Sequence, residues 1–187
     1  AWNSNSWVDL WRNNAPSGHP VLLSGLIYLT KNITGTPLSM QLMHWLLGSF
    51  AISIFWRYSP FTLRIKTLFT FGYFPFWEYF FVCRHYVISE LIIFLFCAIY
   101  PLRSKTYIPF AFCIGLLCNT QALAWSLAFA IGMTLIWDWL SNPNQRQIYT
   151  ASKYWVYDLI SSIIISFSLL CFGAFSLFQV KDSVKLV

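Results

Sequence analysis

The chain has 187 residues, 58% of them hydrophobic and 20% aromatic, and only 10% charged, against about 25% charged in soluble domains. Stretches such as residues 91–100 and 160–178 carry no charge at all, which excludes a globular fold with a polar shell and requires lipid to take the place of that shell. The formal charge of +6 comes from twelve Lys and Arg scattered between apolar runs, a distribution that excludes a nucleic-acid-binding face and fits orientation in a bilayer.

A membrane-spanning helix needs about 20 apolar residues at about 1.5 Å rise each. Residues 1–18 interleave Trp2, Trp7 and Trp11 with Asn, Ser, Asp9 and Arg12, which predicts a segment lying among the lipid headgroups. Residues 21–29 are apolar for only half a bilayer before Lys31, Asn32 and Gly35, and so predict a surface or re-entrant helix. The first span is expected over 38–56, followed by a short basic loop. The second, over 67–83, is crowded with aromatics and interrupted by Gly72 and Pro75, and the third covers 86–102.

Residues 107–118 and 122–140 would together measure about 50 Å as one straight helix, more than a hydrocarbon core of about 30 Å, so a hairpin turning at Asn119-Thr120-Gln121 is expected. Residues 141–152 are polar, and the last span is expected over 154–178. The fold class is therefore all-α: a polytopic transmembrane bundle with five to six spans over residues 38–179. An interfacial or re-entrant segment, 1–37, precedes it, and a short charged tail, 180–187, follows.

Alternation of the spans puts Arg57, Arg64, Lys66, Arg103, Lys105, Arg146 and Lys153 on one side, seven basic residues against five. The positive-inside rule makes that side cytoplasmic. The five cysteines, Cys83, Cys97, Cys113, Cys118 and Cys171, mostly fall inside apolar runs without a CxxC pair, and read as buried free thiols. His19 and His44 lack metal-ligand spacing, so no metal is expected, although a single histidine can ligate a haem or pigment. No phosphate-binding glycine loop and no hydrolase motif occurs.

Ionisable groups at a bilayer are costly and therefore candidates for function. Arg84 and His85 have the chemistry to grip a phosphate, with Tyr86 beside them. Glu78 suits either proton transfer or neutralisation of Arg84. Glu90, one turn beyond Tyr86, is expected to point into the bundle as a hydrogen-bonded structural group, with Asn119 and Gln121 at the same outer surface as further polar groups. Asp9 is a candidate base, and His19 completes the outer set.

Gly18-His19-Pro20 before an apolar helix, the stretch Gly72 to Tyr79, and Arg84-His85-Tyr86 together resemble the type C polytopic glycosyltransferase superfamily, including bacterial membrane proteins. The likeness covers roughly residues 7–103. It implies transfer of a sugar from a polyprenyl-phosphate donor on the external face of a bacterial inner membrane or an equivalent internal membrane. It also implies lipid-phosphate binding by His19, Arg84, His85 and Tyr86, catalysis by Asp9 and Glu78, and an acidic pair that would fall before Ala1. The alternative is a non-catalytic subunit of a larger bioenergetic or photosynthetic membrane complex, packed against other subunits, lipids or pigments. With a single clear in-membrane acid and no paired broken-helix repeat, a transporter is the weaker expectation.

Overall fold

Inside a bilayer each backbone N–H and C=O must find its partner within the protein, and a helix supplies all of them locally. The computed structural model describes residues 6–14, 21–36, 38–81 and 86–178, and no strand occurs among them. Its α-helices are α1 (Trp7–Asn14), α2 (Val21–Thr34), α3 (Leu38–Tyr58), α4 (Leu63–Thr70), α5 (Tyr86–Ile99), α6 (Ile108–Cys118), α7 (Ala124–Ser141), α8 (Pro143–Thr150) and α9 (Trp155–Phe178). A π-helical segment, Tyr73–Phe81, lies between α4 and α5, and a 3-10 turn, Tyr100–Ser104, extends α5.

Three described stretches are long and apolar enough to cross a membrane: Tyr86–Ser104, Ala124–Ser141 and Trp155–Phe175. Phe129 and Trp137 on α7, and Tyr157 and Phe167 on α9, are exposed, as lipid-facing side chains are.

The shortest apolar helix, α6, is the centre of the bundle, with Phe110, Ala111, Leu117 and Cys118 buried. Helices α5, α7 and α9 all pack on it, α9 most extensively. Helix α5 runs antiparallel to α6, since Phe96 meets Phe110 at one end while Ser89 bonds Thr120 at the other. The expected hairpin forms: Trp125 Nε1 donates to Cys118 O at 2.9 Å near the turn, and Tyr107 meets Trp139 at the far end. Helix α9 runs parallel to α6, joined by Tyr107 N to Asp158 Oδ2 at 2.8 Å and by Asn119 Nδ2 to Leu169 O at 2.8 Å.

Two glycines permit the α6–α9 approach. A Cβ on Gly115 would lie 2.5 Å from the Leu169 Cβ, and one on Gly173 would lie 2.8 Å from Cys118 O. Small residues at such crossings let helices gain dispersion and close backbone contacts where lipid offers no hydrophobic driving force.

At the end opposite the α6–α7 turn, Asp158 accepts hydrogen bonds from Thr106 Oγ1 at 2.5 Å, Tyr107 N at 2.8 Å and Tyr149 Oη at 2.7 Å. The carboxylate thus caps the start of α6 from another helix, where the helix dipole favours a negative charge. Burial first, and then the bond to Asp158, pushes the Tyr149 hydroxyl above its ordinary pKa, so it remains a donor. Arg103 Nε pairs with Asp138 Oδ2 at 2.6 Å, and its guanidinium lies 4.2 Å from the Tyr100 ring centroid. Asn142 also donates to Asp138. The polar connection 141–152, read from the sequence as a loop between spans, contains α8, which starts on Pro143 with Tyr149 fully buried.

Helix α3 packs along α5 through Ala51, Ile54 and Leu91, and the Phe55 ring meets Phe94 at 5.2 Å. Helix α2 packs on α3 and α1 on α2, with Trp7 against Tyr28. Helix α2 continues through Lys31 and Asn32 to Thr34, five residues beyond the expected apolar stretch, before Gly35 turns the chain at φ 68°.

The expected single span over 67–83 is not one helix. Helix α4 ends at Thr70, Phe71 and Gly72 break it, and the chain resumes as the π-helical segment. Pro75 lacks the N–H that an α-helix would use there. Gly72 sits so close to the α4 carbonyls that a Cβ would lie 3.1 Å from both Leu68 O and Phe69 O. The broken segment folds back on α3: Lys66 Nζ donates to Trp56 O and Trp56 Nε1 to Thr70 Oγ1, each at 2.7 Å. Among the described cysteines all are free thiols, but only Cys113 and Cys118 are buried. Cys97 and Cys171 are exposed on the apolar outer surface, because burial in lipid does not require burial in protein.

Candidate functional site

The break at Gly72 has a consequence for α5. Because α4 and the π-helical segment do not form a straight helix, the side of α5 around Glu90 is left with a cavity of about 390 Å³. Phe69 from α4, Phe74 and Pro75 from the π-helical segment, Ile93 and Phe94 from α5, and Leu127 from α7 line its apolar part, while Tyr86, Ser89, Glu90 and Gln121 line the polar part. Phe74 is 61% exposed, so the apolar wall reaches the outer surface.

The polar groups divide unequally. Ser89 Oγ donates to Thr120 Oγ1 at 2.8 Å, Thr120 Oγ1 donates to Leu117 O at 2.8 Å, and Gln121 Nε2 approaches Ser89 Oγ at 3.5 Å. Ser89 and Thr120 are thus satisfied, with Gln121 held only at the limit of hydrogen-bond distance. Glu90 is only 9% exposed, and its Oε1 meets no donor among the described residues. The group expected to be a satisfied structural carboxylate therefore lines the cavity while one of its oxygens is buried without a donor among the described residues, in a setting where an unpaired buried polar atom is costly.

Of the other sequence candidates, Tyr86 and Gln121 join Glu90 in this cavity. Asn119 does not: it is buried, and its Nδ2 donates to Gly115 O at 2.9 Å and to Leu169 O at 2.8 Å, tying α6 to α9. Asn119→Ala is expected to cost about 1 to 3 kcal/mol of stability, read as a lower unfolding temperature in detergent, while ligand binding at the Glu90 cavity is unchanged. Loss of binding without loss of stability would place Asn119 in the site instead.

Glu78 lies half-buried on the same π-helical segment as Phe74 and Pro75, but is not among the residues lining the cavity. Asp9 lies on α1, half-buried, with its N–H on Ser6 Oγ at 3.1 Å, and it too is not among the cavity-lining residues. His19, Arg84 and His85 lie outside the described residues. His44 is fully buried on α3, its Nδ1 3.0 Å from Met40 O and its Nε2 without a partner among the described residues. Among the described residues no group of three or more His, Cys, Asp or Glu is placed to hold a metal ion.

Sequence reasoning passed over Ser89, Thr120 and the rings of Phe69, Phe74 and Phe94, and also over Asp138 and Asp158. The two aspartates could have been found by the criterion that flagged Glu90, an acid within a turn or so of a span end. The rings could not, because aromatic residues are too common in this chain to mark a site. Comparison of the chain with protein-family models, with curated proteins and with solved structures gave no match.

Proposed function

We propose that the chain is a multi-pass integral membrane protein that takes the polar head of a membrane lipid into the Glu90 cavity, in the manner of a glycosyltransferase module using a polyprenyl-phosphate-linked sugar. The observation that carries this reading is the Glu90 carboxyl, its Oε1 buried and without a donor among the described residues, lining a cavity whose aromatic wall reaches the outer surface at Phe74. An apolar cavity with a few convergent polar groups is the usual form of a small-molecule site. Sugar hydroxyls would donate to Glu90, the Gln121 amide would serve a second hydroxyl, and Phe69, Phe74 and Phe94 would take the apolar face of the sugar and the start of the polyprenyl chain. Arg84 and His85 immediately precede Tyr86 in the sequence and supply the chemistry for the phosphate. Glu78 would orient them, and Asp9 and His19 belong to the same outer set.

In this reading five segments cross the bilayer. Helix α3 has 21 residues, about 31 Å at helical rise, and joins the three long apolar stretches. The short α6 is the fifth, shielded from lipid by its neighbours. Arg103, Lys105, Arg146 and Lys153 fall at the α8 end of the bundle, whereas Arg57, Arg64 and Lys66 lie at or just beyond the end of α3 that packs beside Leu91 and Phe94. With 67–83 broken, the basic residues no longer favour one side as the positive-inside count from the sequence expected. The orientation in this reading comes from the glycosyltransferase resemblance, in which the Glu90 end faces outward from a bacterial inner membrane or an equivalent internal membrane.

The test is binding of an undecaprenyl-phosphate-linked hexose to the purified chain in detergent, with undecaprenol as the control. The sugar lipid is expected to bind about tenfold more tightly than the alcohol, and Glu90→Gln to remove about that factor. Equal affinity for the two lipids would overturn the reading. The exposed outer faces of α7 and α9 support a second reading, packing against partner subunits of a larger assembly, for which purification with a partner at fixed stoichiometry is the test.

A further inference from the structure

The Glu90 cavity combines a carboxyl whose Oε1 has no donor among the described residues with a ring-rich wall, and the two features select for charge as well as shape. We propose that the head group entering it carries an ammonium, on an amphiphile whose alkyl chain lies along the aromatic wall. This rests on the reading that a lipid head occupies the cavity, and it adds the charge of that head.

Glu90 is 9% exposed and its Oε1 has no donor among the described residues. The neighbouring hydrogen-bonding side chains, Ser89, Thr120 and Gln121, are engaged with one another or with the backbone. The described residues lining the cavity include no Lys, Arg or His. A carboxylate withdrawn from water without a counter-charge is among the most expensive groups to hold in a membrane protein. A cation supplied by the ligand offsets that cost, whereas an anionic group placed at the same oxygen would add to it.

The wall points the same way. Phe69, Phe74, Tyr86 and Phe94 line the cavity around Glu90, and a cation within about 6 Å of such rings is attracted by their π faces, the basis of aromatic cages for ammonium groups. A neutral hydroxyl would satisfy the oxygen as an acceptor but gain nothing from the rings. An amino sugar on a polyprenyl carrier and an ethanolamine or choline lipid share the required chemistry.

The experiment uses the full chain in maltoside micelles and three probes of equal chain length: dodecylammonium, dodecyltrimethylammonium and dodecanol. Wild type is expected to bind at least one ammonium probe about tenfold more tightly than dodecanol. Glu90→Gln is expected to abolish that preference and leave dodecanol affinity unchanged. A stronger response to the primary amine assigns an amino sugar or ethanolamine head, and a stronger response to the trimethylammonium assigns choline; both support the proposal. Equal affinity of wild type for all three probes, no binding of any of them, or a preference that survives in Glu90→Gln overturns it. If Glu90→Gln does not elute as a folded monodisperse species, Phe69→Leu carries the test, since Phe69 is a partly exposed ring: a reduced ammonium preference supports the proposal and an unchanged one overturns it. Failure of the undecaprenyl-phosphate-linked hexose to bind, with the ammonium preference intact, removes the lipid-sugar reading and leaves this one standing.

Discussion

Asp158→Ala is expected to lower the unfolding free energy in detergent by about 3 to 5 kcal/mol, enough to bring unfolding near room temperature in a marginally stable bundle. Asp158 receives Thr106 Oγ1, Tyr107 N and Tyr149 Oη at 2.5, 2.8 and 2.7 Å. Its removal therefore strands Thr106 Oγ1 and Tyr107 N, the backbone N–H just before α6, and leaves Tyr149 Oη only Trp155 O at 3.1 Å. Asp158→Asn keeps an acceptor but loses the charge, and should cost about half as much. Tyr149→Phe removes one donor and should cost about 1.5 kcal/mol. Thermal unfolding followed by intrinsic fluorescence gives the order Ala, Asn, then Tyr149→Phe, and an Asp158→Ala protein that unfolds at the parent temperature would remove the carboxylate from the set of interactions holding α6 to α9. The Tyr149 hydroxyl has its pKa raised by burial and by Asp158. The stability linked to it is therefore fully present below the ordinary tyrosine pKa of about 10 and is lost as pH rises beyond that value.

Gly173→Ala is expected to cost about 2 kcal/mol or more, and it separates two kinds of close packing. The added Cβ would lie 2.8 Å from the Cys118 carbonyl oxygen, a backbone atom that moves only if α6 moves. Gly115→Ala meets the Leu169 side chain, at 2.5 Å from its Cβ and 2.6 Å from its Cδ1, all of which Leu169→Gly removes. Leu169→Gly should therefore cost less in the Gly115→Ala background than by itself, a favourable coupling on the order of 1 kcal/mol. No side-chain truncation should relieve Gly173→Ala in the same way. Unfolding temperatures of the single and double variants measure both, and additive effects at Gly115 and Leu169 would show that the crossing is looser than these distances imply.

Both expectations concern residues that the sequence reading did not single out. Gly115 and Gly173 sit in apolar runs like many others, and Asp158 reads as an ordinary acid in the first turn of a helix, where the dipole favours it. The candidate site was legible only in part. Glu90 stood out because an acid in an apolar run is costly, and Tyr86 and Gln121 because they flank span ends. Their meeting, and the failure of Ser89, Thr120 and Gln121 to serve Glu90, depend on how α5 meets the turn after α6. Glu78 and Asp9 were flagged by the same criterion and are not among the residues that line the cavity, because an ionisable residue near a bilayer boundary can be solvated there as easily as it can join a site.

Composition and the spacing of uncharged runs were sufficient for the helical class and for the limits of its long elements. Residues 86–102 correspond to Tyr86–Ser104, 122–140 to Ala124–Ser141, and 154–178 to Trp155–Phe178. Of the three residues expected to end α2, Gly35, φ 68°, does so, while Lys31 and Asn32 are carried within the helix. These features are local: apolar length matches lipid thickness, and a glycine accepts a left-handed turn, whatever lies elsewhere in the chain. Tertiary structure alone decided that the shortest apolar helix is the central one, that 67–83 breaks and so opens the Glu90 cavity, and that Thr106 reaches Asp158 across 52 residues. Those outcomes depend on which surfaces fill one another's space. Where nearly every residue is apolar, hydrophobic pattern no longer distinguishes an inward face from an outward one.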